Sequence, residues 1–313
     1  MKEEIIVSGR LNPTIDPILN VWHWEIPLYL FVGGLVAGIL FFSAFFTLKG
    51  ESDKFHFTTK IAPMFAPLLL TIGLIALFLD LSHKLYFWQL YTNIRWESPM
   101  SWGAWTLMLI MPLSVLWSLS WINDLFPKWN WKFNFIIIMN SYIILYRKVI
   151  AWALIILSII LGMYTGILLS AFNARPFWNS AIMGPLFLTS GLSASASIIL
   201  LFSKSKIEKH LFTKIDLMLI IVELFFIVHL FMGYLAGTKV HIEAADLFLG
   251  GVYTAPFWIF VVIFGLVFPL ILEIMELKGK SIPAIITTSL VLFGSLMLRF
   301  IVVEAGQFSR WLY

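Results

Sequence analysis

Ile26-Pro27-Leu28-Tyr29-Leu30-Phe31-Val32-Gly33-Gly34-Leu35-Val36-Ala37-Gly38-Ile39-Leu40-Phe41-Phe42-Ser43-Ala44-Phe45-Phe46-Thr47-Leu48 carries no charged residue, and its reading decides the fold. A hydrocarbon core about 30 Å thick needs about 20 apolar residues, because a helix rises about 1.5 Å per residue. This stretch is therefore long enough to cross a bilayer. Similar stretches recur near residues 61–82, 101–122, 149–171, 181–202, 215–236, 253–273 and 282–303. Backbone amides in lipid must be satisfied within the segment, so each is expected to be a helix. A transmembrane barrel is excluded, because its strands would alternate about every second residue and these runs do not.

Composition agrees with this reading. Of 313 residues, 60% are hydrophobic and only 12% charged, with a mean hydropathy of +0.93. Soluble domains carry about twice that share of charge. The expected fold class is an all-α integral membrane protein with eight transmembrane helices arranged as two four-helix bundles. The divisions fall at 1–25 (an outer-face arm), 26–172 (a first bundle) and 173–313 (a second).

The arm holds Lys2, Glu3, Glu4, Arg10, Asp16 and Glu25 with Pro13 and Pro17, so it lacks the apolar core of a cleavable signal peptide. An even number of spans puts both termini on one side. The loops after the first, third, fifth and seventh spans hold Lys49, Lys54, Lys60, Lys128, Lys132, Arg147, Lys148, Lys204, Lys206, Lys209, Lys214, Lys278 and Lys280, thirteen of the 21 basic residues. By the positive-inside rule those loops are cytoplasmic and both termini face outward from the cell membrane. The lipid bilayer is the expected surrounding, and no nucleic-acid partner is expected. Without cysteine, the chain cannot ligate an iron-sulfur cluster through thiolates, so such a centre would belong to a partner.

Pro27-Leu28-Tyr29-Leu30 before Gly33-Gly34-Leu35 resembles Pro185-Leu186-Phe187-Leu188 before Gly191-Leu192, and Trp105 and Trp258 sit at similar offsets in the third and seventh spans. Two parallel halves joined near 173–180 would account for this. The competing explanation is that Pro, Gly and Leu are common in membrane helices.

Polar residues gather at the outer ends. The first span is approached through Asn20-Val21-Trp22-His23-Trp24-Glu25, the second leaves through Asp80-Leu81-Ser82-His83-Lys84, the third starts Ser98-Pro99-Met100-Ser101-Trp102-Gly103, and the fourth ends near Tyr164-Thr165-Gly166. A helical lead-in would put Asn20 and His23 on one face, and Asp80 with His83 repeats that spacing. Histidine, amide and phenol at membrane depth, walled by Trp22, Trp24, Trp102 and Trp105, suit a quinone, whose flat ring carries two oxygens that need donors able to exchange protons. Singly, each of these residues is better read as part of an aromatic belt. Their clustering with Asp80 and Asn20 favours the ligand site.

These residues, with Gly33-Gly34-Leu35-Val36-Ala37-Gly38, Arg175-Pro176, Arg299 and Ala305-Gly306-Gln307, give a chain that resembles the polysulfide-reductase membrane subunits, also called NrfD-type subunits. The resemblance spans nearly the whole chain. It implies a subunit without haem or iron-sulfur cluster that binds a menaquinone-type quinone near the outer face. Electrons would pass to a four-cluster ferredoxin-like subunit and on to a molybdopterin or multihaem catalytic subunit. It also implies that Asn20, His23 and Tyr164 hold the quinone; His23, Tyr164 and Asp80 are the expected catalytic residues, with Trp24 and His83 expected beside the ligand. The family's common His-Pro after the acid reads here as Ser82-His83-Lys84.

Other polar residues lie within spans. Glu223 and His229 fall in the sixth, Glu273 in the seventh and Arg299 in the eighth, and a charge at mid-membrane costs at least ~3 kcal/mol. A Glu223–Arg299 pair is the leading explanation for those two; Asp216 and Glu223, seven apart, would otherwise extend a proton route. A di-haem cytochrome b would need facing histidine pairs, and of the six His only His229 is well inside a span. A transporter would place broken helices at mid-membrane, whereas this polar cluster is peripheral. Residues 86–99 and 238–252, with the arm, are expected to dock the iron-sulfur subunit.

Overall fold

The computed structural model describes residues 21–128 and 134–310. Eight of its helices are long and apolar enough to cross a membrane: Glu25–Leu48, Phe57–Asp80, Pro99–Leu125, Arg147–Ser170, Met183–Phe202, Lys206–Leu235, Pro256–Leu277 and Ala284–Phe308, here spans one to eight. There is no β-strand among the described residues.

The helices outrun their apolar cores. Span six starts at Lys206, well before the apolar run, because the Ser205 hydroxyl caps it by accepting from the Glu208 amide at 3.4 Å. Two further helices, Asn134–Leu145 and Lys239–Leu249, stand between spans. At 12 and 11 residues they are too short to cross a bilayer, so a count of crossing-length runs passes over them. Span two is irregular, with a π-helical turn over Phe57–Ile61 and a 3-10 turn over Ala62–Phe65 before regular helix from Ala66. Pro63 and Pro67, which lack amide protons, sit where the hydrogen-bond pattern changes.

Span one is the axis of the molecule, packing against spans two, four, five and eight. It gets this close by having no side chain at the crossing with span five. A Cβ on Gly191 would lie 2.7 Å from the Gly34 carbonyl oxygen, and one on Gly38 would overlap Ser195 Oγ. Gly34 and Gly38, four apart, and Gly191 and Ser195, also four apart, thus let the two backbones touch. Helices in lipid gain association energy through such contact, since lipid is as apolar as their side chains. The outward faces remain apolar, as with the exposed Ile72, Ile75 and Phe78 of span two.

Arg299 of span eight ties this crossing together. Fully buried, it donates to the Leu30 carbonyl of span one, to the Phe187 carbonyl and Ser190 hydroxyl of span five, and to the carbonyl and hydroxyl of Ser295 on its own helix. The expected Glu223–Arg299 ion pair does not form among the described residues. Glu223 interacts with Ser190 and feels the Arg299 charge from there, because carbonyls and hydroxyls already occupy the guanidinium.

Candidate functional site

Val21 and Ser309, near the two ends of the described chain, lie at one face of the molecule. This terminal face is held by side chains distant in sequence from the lead-in to span one. Gln307 accepts from the amides of Val21 and Trp22 at 3.0 and 2.9 Å and donates to the Trp22 carbonyl at 2.9 Å. Arg175 donates to the Ser309 carbonyl at 3.0 Å and more weakly to that of Gln307 at 3.4 Å. Trp178 donates to the Val302 carbonyl, and its ring lies 5.0 Å from that of Trp22. The motifs Arg175-Pro176 and Ala305-Gly306-Gln307 are therefore the frame that fixes the lead-in to span one.

Behind Trp22 a cavity of about 880 Å3 opens between spans one, two, three and four. Its size falls within the ~300–1,000 Å3 of small-molecule sites. Ile26, Leu30, Leu74, Leu107 and Leu168 make it mostly apolar, while Tyr29, Asp80, His83 and Tyr164 bring polar groups to its wall. Ile75 and Phe78, both exposed on the apolar side of span two, also line it, so its mouth reaches the lipid-facing surface.

Tyr164 is buried, and its phenol occupies the space a side chain at Gly103 would need, so that a Cβ there would fall within the tyrosine ring. Glycine in the Ser98-Pro99-Met100-Ser101-Trp102-Gly103 motif is what admits the tyrosine. The segment between spans two and three covers the cavity as a strap with two short helical turns, Lys84–Tyr86 and Gln89–Thr92. Its end is pinned where the Arg95 amide donates to Ser101 Oγ at 3.2 Å and Trp102 Nε1 donates to the Trp96 carbonyl at 2.9 Å. Tyr91 of the strap lines the cavity, and partial burial pushes its phenol up, leaving it a neutral donor.

The sequence-derived residues distribute unevenly around this cavity. Tyr164, Asp80 and His83 line it; His23 and Trp24 stand exposed at its rim and are not lining residues; Asn20 lies outside the described residues. Of the four tryptophans expected as its wall, only Trp22 serves. The structure corrects both expected helical spacings. Helix begins at Glu25, so the backbone carrying His23 is not helical. Span two ends at Asp80, where Leu81 turns extended with ψ 124°, so Asp80 and His83 do not share a helical face. Asp80 instead has Glu25 and His23 as its titratable neighbours. Tyr29, Tyr91 and Gln307 escape a reading of the sequence. Tyr29 stands out there only within a repeated Pro-Leu-aromatic-Leu pattern, and Gln307 only within a terminal motif.

Three relatives share this sequence along nearly their whole length. The chain is 31% identical over 301 residues to the C component of polysulfide reductase from Wolinella succinogenes, covering 92% of this chain and 94% of that one. It is 29% identical over 306 residues to the protein NrfD of Escherichia coli (strain K12), covering 92% and 96%. The NrfD homolog of Haemophilus influenzae is 28% identical over 309 residues, covering 92% and 95%. The profile of the family described as polysulphide reductase, NrfD matches residues 14–309, and this multi-pass membrane protein belongs to that family.

Proposed function

We propose that the chain is the quinol-binding membrane subunit of a respiratory reductase, exchanging electrons between a menaquinone-type quinol in the bilayer and a four-cluster ferredoxin-like iron-sulfur subunit. A molybdopterin or multihaem catalytic subunit would complete the chain of transfer. The observation that carries this reading is the cavity itself: apolar, open beside lipid-facing residues of span two, and polar at its walls where Tyr164, Asp80 and His83 lie. A lipid-soluble ring reaches it without leaving the membrane. The relatives' names, one of them a component of polysulfide reductase, support membership of a reductase complex.

The chain's own groups divide the work. Tyr164, pinned over Gly103, orients one ligand oxygen by hydrogen bonding. Asp80, with Glu25 and His23 as neighbours, stands between the cavity and the terminal face and accepts protons as the quinol is oxidised, its electrons leaving to the iron-sulfur partner. His83 and Trp24 border this route. On this reading both termini and the strap face the outside, the strap and helix Lys239–Leu249 form the dock for the iron-sulfur subunit, and spans one to four and five to eight are two bundles meeting at the span one–span five crossing.

Asp80→Asn and Tyr164→Phe test the reading. Losing a donor to the ligand costs about 1–1.5 kcal/mol, or roughly tenfold in affinity, and removing the proton acceptor stops coupled turnover. Quinol-driven reduction by the complex should fall sharply in both variants, while artificial dyes that feed the soluble subunits still work. Normal quinol activity in both would place the ligand elsewhere.

A further inference from the structure

Away from the cavity, the second half of the chain holds carboxyl groups that its own fold leaves short of donors. Asp216 of span six and Glu273 of span seven are both fully buried and close enough to interact with each other. Ser193 of span five donates to Asp216 Oδ1 at 2.5 Å, but Asp216 Oδ2 and both oxygens of Glu273 meet no other donor among the described residues. Glu276, one turn further along span seven, has a buried Oε2 in the same condition, and so has Thr287 Oγ1 of span eight. Thr287 stands seven residues back from Gly294 and Glu273 eight on from Gly265, so the close Gly265–Gly294 contact between these antiparallel helices puts the two at one depth. Five of the thirteen buried side-chain polar atoms without a partner among the described residues thus belong to this end of spans six to eight. Four of the five are carboxyl oxygens, so donors are what is missing.

Neighbouring cations do not fill the gap. Arg299 donates to carbonyls and hydroxyls elsewhere, span five carries no titratable residue, and Glu223 adds a further acid beside Asp216. Lys209 and His210 of span six act on Glu276 instead. The acids and histidines do not converge as a metal-ligand set among the described residues. Two adjacent carboxyls in so dry a place resist being ionised together, whereas one proton held between them satisfies an oxygen of each. We propose that Asp216 and Glu273 share one proton and form a proton-binding site inside the second half of the chain, loaded through Glu276 from the face opposite the termini. Span six starts and span seven ends at that face. Glu276 is half-buried there, with half-buried Lys209 and exposed His210 beside it, so polar groups run from the pair to the surface. The site is independent of the quinol reading, because the cavity does not reach it.

Infrared spectra of the full chain in lipid nanodiscs, taken at a pH where surface carboxyls are ionised, test this. Subtracting the spectrum of the double variant Asp216→Asn/Glu273→Gln from that of wild type should leave the carbonyl-stretch band of a protonated carboxyl, moving to lower frequency in D2O. No such band would mean that both groups are ionised, which overturns the proposal. A band that disappears when sodium is added at constant pH would assign the pair to a metal cation and overturn it as well. Where the double variant does not fold, Glu273→Gln alone should still remove or shift the band, and an unaltered spectrum would count against the pair. Glu276→Gln should slow deuterium uptake by the band severalfold, and an unchanged rate would overturn the route through Glu276. None of these spectra needs a quinol, so failure of the quinol reading would leave them as they are.

Discussion

Arg299 and Tyr29 sit in neighbouring parts of the membrane-embedded core and are treated in opposite ways. The guanidinium in spans five to eight makes five hydrogen bonds, all to carbonyls and hydroxyls of the same chain. The phenol in spans one to four makes none among the described residues. A polar group in lipid must be satisfied, so one that is saturated by its own chain is structural, and one left open beside a cavity is reserved for something that arrives. The second half is not uniformly closed, since the buried carboxyls of Asp216 and Glu273 approach one another from spans six and seven. Ser193 donates to Asp216 at 2.5 Å, and the cavity around Tyr29 does not reach this pair.

Breaking the closed side should have the largest effect. Arg299→Leu would leave Ser190, Ser295 and the Leu30 and Phe187 carbonyls without their donor where spans one, five and eight meet, and charged hydrogen bonds are worth about 1.5–3 kcal/mol each. The expected outcome is loss of several kcal/mol of stability, read as poor recovery of folded protein in detergent and a strongly lowered unfolding midpoint. A variant that folds normally with reduced quinol activity would move Arg299 from frame to function.

Gly103→Ala attacks the open side with less force. The new methyl collides with the Tyr164 ring, and overpacking costs about 1–3 kcal/mol. Displacement of the phenol should cut quinol oxidation by roughly 10- to 100-fold while dye-linked activity survives. Double mutation with Tyr164→Phe should add little, because the phenylalanine ring meets the same methyl and the hydroxyl's contribution is already lost; additive losses would mean that Gly103 acts elsewhere.

Gln307 bridges the two sides, and its effect should be the smallest. Gln307→Ala frees the backbone around Trp22 and His23 and should raise the quinol KM several-fold with kcat nearly kept. Gln307→Glu retains the acceptor used by the Val21 and Trp22 amides and should recover part of that loss. Equal defects in both variants would assign the role to the Nε2 donor alone.

Much of the architecture is legible in the sequence because hydrophobic length is a one-dimensional property. The eight spans fall within a few residues of their apolar runs, except where charged turns extend a helix, as at Lys206–Lys214, or where a helix is too short to cross, as at Asn134–Leu145. The gathering of polar residues at one face is legible for the same reason, since position along a span gives depth. Side-chain direction is not. The spacing from Asp80 to His83 implies a shared face only while the helix continues, and Leu81 ends it.

Composition, span length and motif order are all carried by the linear chain, and they are enough to make this a helical membrane protein of the polysulphide reductase family. Which of those residues meet is settled by packing alone. Gln307 reaches Trp22 across 285 positions, Gly103 makes room for a tyrosine of another span, and Tyr29 is left facing a cavity formed by four helices. Each depends on how helices cross, and crossings are set by where small residues let backbones touch, as Gly34 and Gly38 do against Gly191 and Ser195. Residues that are close only because of such a crossing leave no local pattern in the sequence.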